Sequence, residues 1–416
     1  MPGPCRDTPV LKREIGLFGA TALGIGAIIG SGIFIVTGIV AGVAGPAMIV
    51  SIVIAGLIAV FSAGSVAELA AYLPEEGGTY AYARRLLSPF AGFIAGWIWV
   101  FANIFVGAAV ALGFAHYLAT LLPGTPVTII AVAVCLVFTA LNYRGAKESV
   151  LFNDVLVVLK VVILLVFISA GLLFFRPENL VPFAPSGSHG ILNGAALIFF
   201  AYTGFARVTL VAEEVREPVV TIPRSIFLAL GISAVLYLLV STVAAGVAGA
   251  PALAGSGAPL ADAIRVTGNY PVLLLVSAGA MIATASVLLT TILGISRIVF
   301  SMSRNRDLPG SLAAIHPRFC TPHAAVAVTG AGMIAVILLA DLPPAVSVST
   351  FAMLVFYLIA NLAALRLPER GRRYPSWVPA IGAASCAGLA VFLSPVSILI
   401  GCAGVVTGAL WYAGTR

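Results

Sequence analysis

Charged residues are rare inside long apolar runs, and this chain has two, Lys160 within LVVLKVVILLVF and Arg207 closing FFAYTGFAR. Lys160 lies well inside an expected span, 151–175, too deep for its stem to carry the ammonium to an interface. A charge at that depth costs at least ~2.5 kcal/mol even on a lenient insertion scale, and loss of water favours the neutral amine. Lys160 is therefore a candidate proton carrier, the plainer alternative being a structural lysine held on backbone carbonyls. Arg207 cannot release its proton, so it is no relay. It either pairs with a carboxylate such as Glu68, Asp154 or Glu214, or biases a pathway toward anionic side chains.

The backbone supplies a second kind of chemistry. Residues 24–34 read GIGAIIGSGIF, four glycines in nine residues of an apolar run. Irregular backbone at membrane depth is tolerated only where protein buries it or a polar cavity accepts it, and a half-helix N-terminus there attracts a carboxylate. The competing reading is close helix packing of the small-xxx-small type, which Gly26 and Gly30 satisfy. A second interruption, FFAYTGFAR at residues 199–207, falls five spans later. Paired interruptions in two halves of a chain point to a transporter's central site.

Other constellations carry little. His116, His189, His316 and His323 are scattered, and no GxSxG, P-loop or HExxH pattern occurs, so metal, cofactor and nucleophile chemistry have no anchor. The five cysteines, Cys5, Cys135, Cys320, Cys386 and Cys402, form no CxxC pair and indicate neither a metal site nor a disulfide framework. Glu75, Glu76, Glu213 and Glu214 lie at helix ends, where solvated or gating ion pairs are expected rather than catalysis. Asn103 either faces a cavity or bonds to a neighbouring helix.

These residues must be held by elements that cross a bilayer. The chain has 416 residues, 61% hydrophobic and 9% charged, against roughly 25% charge in soluble domains. Apolar windows predict twelve spans near residues 16–41, 46–72, 88–121, 126–142, 151–175, 190–213, 224–249, 271–302, 323–341, 345–366, 376–394 and 396–413, the last two separable from a re-entrant hairpin only by Ser394-Pro395. The basic N-terminus runs into span 1 without a cleavage site, so span 1 is expected to stay in the mature protein. Arginines and lysines crowd the N-terminus and the loops after even-numbered spans, while the opposite loops hold only Arg176 and Arg265. That asymmetry, rather than the net charge of +7, is informative. It places both termini in the cytoplasm of a multi-pass cell-membrane protein, with the lipid bilayer rather than a nucleic acid as the expected partner. The long loop at 250–270 contains PLADAIRVTG, an amphipathic run read as a short helix and candidate lid.

Taken together, GIGAIIGSGIF, AELAAYLPEEGGTYAYARR at 67–85, FFAYTGF with AEEVREP at 212–218, IPRSI at 222–226 and SRIVFSMSRNRDLP at 296–309 resemble the amino acid–polyamine–organocation superfamily. The resemblance is to prokaryotic amino acid permeases with the leucine-transporter-like fold, and it covers nearly all of spans 1 to 10. It implies an all-α membrane protein with two inverted five-span repeats, 16–175 and 190–366, between a cytoplasmic segment 1–15 and an added pair of helices in 376–416. Backbone around Ile28, Gly30, Ser31 and Gly32 would hold a substrate carboxylate, with the Ser31 hydroxyl assisting. Carbonyls of Phe200, Ala201 and Thr203 would hold its ammonium, and the Phe200 ring would gate the site. Lys160 would take the place of a coupling sodium ion, with Ser286 and Thr290, one turn apart on span 8, lining that place. The chain departs from many relatives at Ala206, where they carry an acid.

The expected function is secondary amino acid transport by alternating access, with protons as coupling ion and no cofactor. An exchanger or facilitator, a polyamine carrier and a transport-silent sensor are the alternatives. Lack of a central carboxylate favours neutral over cationic substrates.

Overall fold

The computed structural model describes residues 15–30, 32–73, 78–145, 150–369 and 372–415, and of residues 150–152 and 210–213 the backbone alone. Every expected span has a helical counterpart. Span 1 is Leu17–Ile28 and Thr37–Ala44 with an irregular stretch between them. Spans 2 to 5 are Met48–Tyr72, Pro89–Leu121, Val127–Tyr143 and Val150–Leu172, and span 6 begins as Gly187–Tyr202. Spans 7 to 12 are Pro218–Ala248, Tyr270–Arg304, His323–Leu339, Leu342–Leu365, Trp377–Ala390 and Pro395–Gly414. Among the described residues eight stretches are long and apolar enough to cross a bilayer, the first of them holding spans 1 and 2, and spans 4, 9 and 11 are shorter apolar helices. Among the described residues there is no strand, only one isolated bridge between Ile15 and Val215.

Local chemistry sets the starts of these helices. Ser88, Asn269 and Ser394 each accept a backbone N–H three residues on, with proline in the first turn, satisfying a donor that the helix itself cannot. The Ser394 cap separates spans 11 and 12. Span 11 packs on spans 2 and 10, and span 12 on spans 3 and 10, so the two are independent helices rather than one hairpin.

The packing follows a rule. Span 1 lies on 5 and 7, and span 6 on 10 and 2; span 2 meets 10 as span 7 meets 5; span 3 meets 4, 9 and 10 as span 8 meets 9, 4 and 5. Each pair recurs on a shift of five spans. Across one end of the bundle runs the segment after span 7, with the expected short helix at Pro259–Val266. Leu260, Ala261, Ala263 and Ile264 are buried under it. Its preceding turn presses the Leu253 and Ser256 carbonyls against Gly38 of span 1, so close that a side chain there has no room. Cys135, Cys386 and Cys402 are free thiols, whereas Cys320 is disulfide-bonded, a bond that no cysteine spacing indicated.

Candidate functional site

Span 1 loses its α-helical form where its glycines cluster. The first half ends at Ile28, Ile29 adopts φ −80° and ψ 68°, and the Gly30 N–H turns back to the Ile28 carbonyl at 2.9 Å. A wider π turn, Gly32–Val36, then leads into the second half. Side chains take up carbonyls freed by the change. The Thr37 hydroxyl donates to the Ile33 carbonyl at 2.7 Å, and that of Tyr117 to the Phe34 carbonyl at 2.6 Å. Ser31 lies outside the described residues.

Span 6 is interrupted inside the expected stretch, its α-helix ending at Tyr202, but the interruption takes another form. At Thr203 it tightens into a 3-10 helix, Thr203–Glu214, which keeps i→i+3 hydrogen bonds and so frees fewer carbonyls than unwinding would. The three carbonyls expected to face a substrate ammonium all accept protein hydroxyls. Phe200 accepts from Thr203 Oγ1 at 2.8 Å, Ala201 from the Tyr237 hydroxyl at 3.1 Å, and Thr203 from the Tyr357 hydroxyl at 2.7 Å. Tyr237 also reaches the Ile28 carbonyl at 2.6 Å, tying the two irregular helices together. Glycines make that contact possible. A Cβ on Gly32 would sit 2.5 Å from Ala201 Cβ, and one on Gly204 would strike the backbone of Ala27 and Ile28. Both readings of the glycines therefore hold at once, since the same residues permit the irregular backbone and the close packing.

A cavity lies against this junction, with about 800 Å³ of space unfilled by protein, part of it open to solvent. Ile28, Gly32, Phe200, Ala201, Thr203 and Arg207 line it, with Trp99 and Asn103 of span 3, Val287 of span 8 and Tyr357 of span 10. Asn103 faces the cavity, and its amide donates to the Trp99 carbonyl of its own helix at 2.9 Å rather than to a neighbouring helix. Gly30 is not part of the wall, because its free face is filled by the Val287 side chain. The cavity extends toward Gly78, Thr79 and Tyr80, on a short helix Gly78–Leu86 after span 2. At the other end the Tyr117 bond to Phe34 and the packing of Ile35 into Gly113 close spans 1 and 3 together.

The two intramembrane cations, on spans 5 and 6, both donate to hydroxyls of span 8. Lys160 is 1% exposed, and its Nζ donates to Ser286 Oγ at 2.7 Å. Thr290, expected beside it, instead accepts from Arg207 Nη1 at 2.8 Å, while Thr291 accepts from Nη2 at 2.8 Å. Residues four apart share a helix face but stand ~6 Å apart along its axis, so one ammonium reaches only one of the two hydroxyls. Glu68, one carboxylate expected near Arg207, accepts the backbone N–H groups of Arg373 and Tyr374.

One polar cluster escaped the sequence reading. The Tyr80 hydroxyl donates to Asp307 Oδ2 at 2.7 Å, Arg84 Nη1 reaches the same oxygen at 2.7 Å, and the Asn305 amide donates to the Tyr80 oxygen at 2.8 Å. Burial, followed by the bond to Asp307, pushes the Tyr80 phenol up to about 12. The cluster fastens the Gly78–Leu86 helix to the end of span 8. A buried tyrosine needs a partner for its hydroxyl, so Tyr80, Tyr237 and Tyr357 could have been marked as polar anchors, but no local spacing identifies their acceptors.

Apolar spans packed around a cavity with both polar and apolar walls, where two irregular helices meet, define a multi-pass membrane protein of the transporter class. The chain belongs to the amino acid permease family, which matches residues 15–414. It is 38% identical over 414 residues to an uncharacterized transporter of Mycobacterium tuberculosis, covering 99% of this chain and 93% of the relative. It is 35% identical to the branched-chain amino acid permease BcaP of Bacillus subtilis over 335 residues, 76% of this chain and 72% of the relative. With the methylthioribose transporter of the same organism it shares 34% over 434 residues, 97% and 93% of the two chains. The family and these relatives are transporters, not enzymes.

Proposed function

We propose that the protein is a secondary active amino acid transporter that works by alternating access and couples transport to protons through Lys160. The observation that carries this reading is the ammonium of Lys160, buried in the bilayer region on the Ser286 hydroxyl, one residue from Val287 of the cavity wall. The recurrence of helix pairs on a shift of five spans supports two inverted repeats, 16–175 and 190–366. Backbone N–H groups near Ile28 and Gly32 receive the α-carboxylate. Carbonyls of Phe200, Ala201 and Thr203 receive the α-ammonium, that of Phe200 by exchanging one of the two Thr203 donors, N–H and hydroxyl, that it accepts here, and the Phe200 ring covers the ligand.

The charge asymmetry of the loops puts both termini and the Gly78–Leu86 helix on the cytoplasmic side. On that orientation the cavity reaches inward, and the Tyr117 and 250–270 contacts seal it outward. Protonated Lys160 bridges spans 5 and 8, and neutral Lys160 lets them part. A proton shifts the balance of two states only through such a difference in affinity.

The test is uptake by purified protein in proteoliposomes with and without an imposed pH gradient. Branched-chain amino acids come first, because a relative at 35% identity is named for them. Gradient-driven accumulation that disappears in Lys160→Ala, with exchange retained, supports the reading. Wild-type accumulation in Lys160→Ala assigns the proton elsewhere. Exchange indifferent to the gradient makes the protein an exchanger.

A further inference from the structure

We infer that Asn103 of span 3 reads the substrate's side chain, favouring amino acids whose side chains carry a hydrogen-bond donor over apolar ones of similar shape. The inference rests on the transport reading above and deepens it.

Three observations carry it. First, span 3 gives Gly96, Trp99, Asn103 and Val106 to the cavity wall. Their spacings of three and four put them on one stripe of the helix, and in that stripe Asn103 alone has a side-chain acceptor. Spans 1 and 6 hold the α-groups on the transport reading, so the span 3 stripe is left to the side chain. Second, the amide's orientation is fixed. Nδ2 donates to the Trp99 carbonyl at 2.9 Å; a carbonyl accepts only from the nitrogen, so Oδ1 is left for another partner. Third, Asn103 is 3% exposed, yet no described residue donates to Oδ1. A buried amide oxygen needs a donor, and here water or a ligand in the cavity supplies it. An apolar side chain that displaces such a water leaves Oδ1 unpaired, whereas a hydroxyl or amide restores the bond. A few placed polar groups in a largely apolar wall are what set specificity in sites of this kind.

The size of the effect is that of one neutral hydrogen bond made or left unmade in a buried site, on the order of tenfold in affinity. Threonine and valine make the clean comparison for a short reach, since they share a branched shape and differ in a hydroxyl against a methyl. Glutamine and methionine serve for a longer reach, both being unbranched and of similar length, one ending in an amide and the other in a thioether.

The experiment measures these L-amino acids as competitors of a labelled neutral amino acid on purified wild-type and Asn103→Leu protein. In the wild type the donor-bearing member of at least one pair is expected to compete at concentrations lower by on the order of tenfold. In Asn103→Leu, which keeps the size of the side chain, that preference disappears or reverses, because a hydroxyl or amide there is buried without its acceptor. Working with ratios cancels any general loss of affinity in the variant. Valine and methionine competing as well as threonine and glutamine in the wild type overturn the inference without any variant, which also covers a poorly folding Asn103→Leu. A preference unchanged in Asn103→Leu overturns the role of Asn103 and leaves amino acid transport standing, as does competition by other amino acids but by none of these. Binding of no amino acid at all overturns the transport reading and this inference with it.

Discussion

Replacing Ser286 with alanine removes an acceptor from the Lys160 ammonium while leaving the lysine in place. The bond is short, 2.7 Å, and the lysine is 1% exposed, so water cannot readily substitute. A hydrogen bond to a charged group is worth about 1.5–3 kcal/mol, and the loss falls on the protonated form alone. At 1.36 kcal/mol per pH unit, the pH of half-maximal proton-driven uptake should move toward acid by about one to two units. The assay is initial uptake into proteoliposomes across a series of external pH values, for wild type and Ser286→Ala. Thr290→Val is the control, because the Thr290 hydroxyl serves Arg207, and its midpoint should stay where the wild type has it. A Ser286→Ala midpoint unmoved, or moved no further than that of Thr290→Val, would refute proton coupling through the Lys160–Ser286 contact.

Two further outcomes are expected. Gly32→Val drives a side chain into Ala201, whose Cα lies 2.7 Å from the position of the added Cβ; overpacking of this kind costs about 1–3 kcal/mol, so the purified protein should melt earlier and lose substrate affinity, and an unchanged melting temperature contradicts the packing described. Tyr80, raised to about 12 from an ordinary 10, favours its neutral form in the folded protein, so its contribution is complete below pH 10 and lost as pH rises toward 12; the tyrosinate absorbance difference between wild type and Tyr80→Phe should rise near 12, and a rise near 10 removes the Asp307 contact from the account.

Much of the site could be read from the sequence because membrane burial makes polar residues conspicuous. Lys160 and Arg207 stood out against apolar neighbours, and the glycines at 24–32 marked where span 1 changes form. Ser286 followed from the resemblance and from helix spacing, but the same spacing could not say which of two hydroxyls Lys160 reaches. That depends on the height of span 5 against span 8, set by packing over the whole length of both. The form that the span 6 interruption takes was not legible for a similar reason. TGFAR looks like a break, yet local hydrogen bonding can tighten a helix as readily as open it, and here the Thr203 hydroxyl and the Gly204 contact with span 1 accompany the tighter winding. Tyr80 and Asp307 are separated by 227 positions, and only the folded bundle joins them.

The winding of span 6 has a mechanical consequence. A 3-10 helix advances ~2.0 Å and turns ~120° per residue, an α-helix ~1.5 Å and ~100°. The segment Thr203–Glu214 has 12 residues, so rewinding it as α would draw it in by about 6 Å. Over the four residues from Thr203 to Arg207, the same change rotates the guanidinium's anchor by about 80°, enough to swing it off Thr290 and Thr291. The far end of the segment is moored by backbone bonds between Ile15 and both Glu214 and Arg216, so a stroke of the screw pulls on the residues that lead into span 1. Helix pitch thereby gears the direction of a fixed charge to the position of the chain's opening segment.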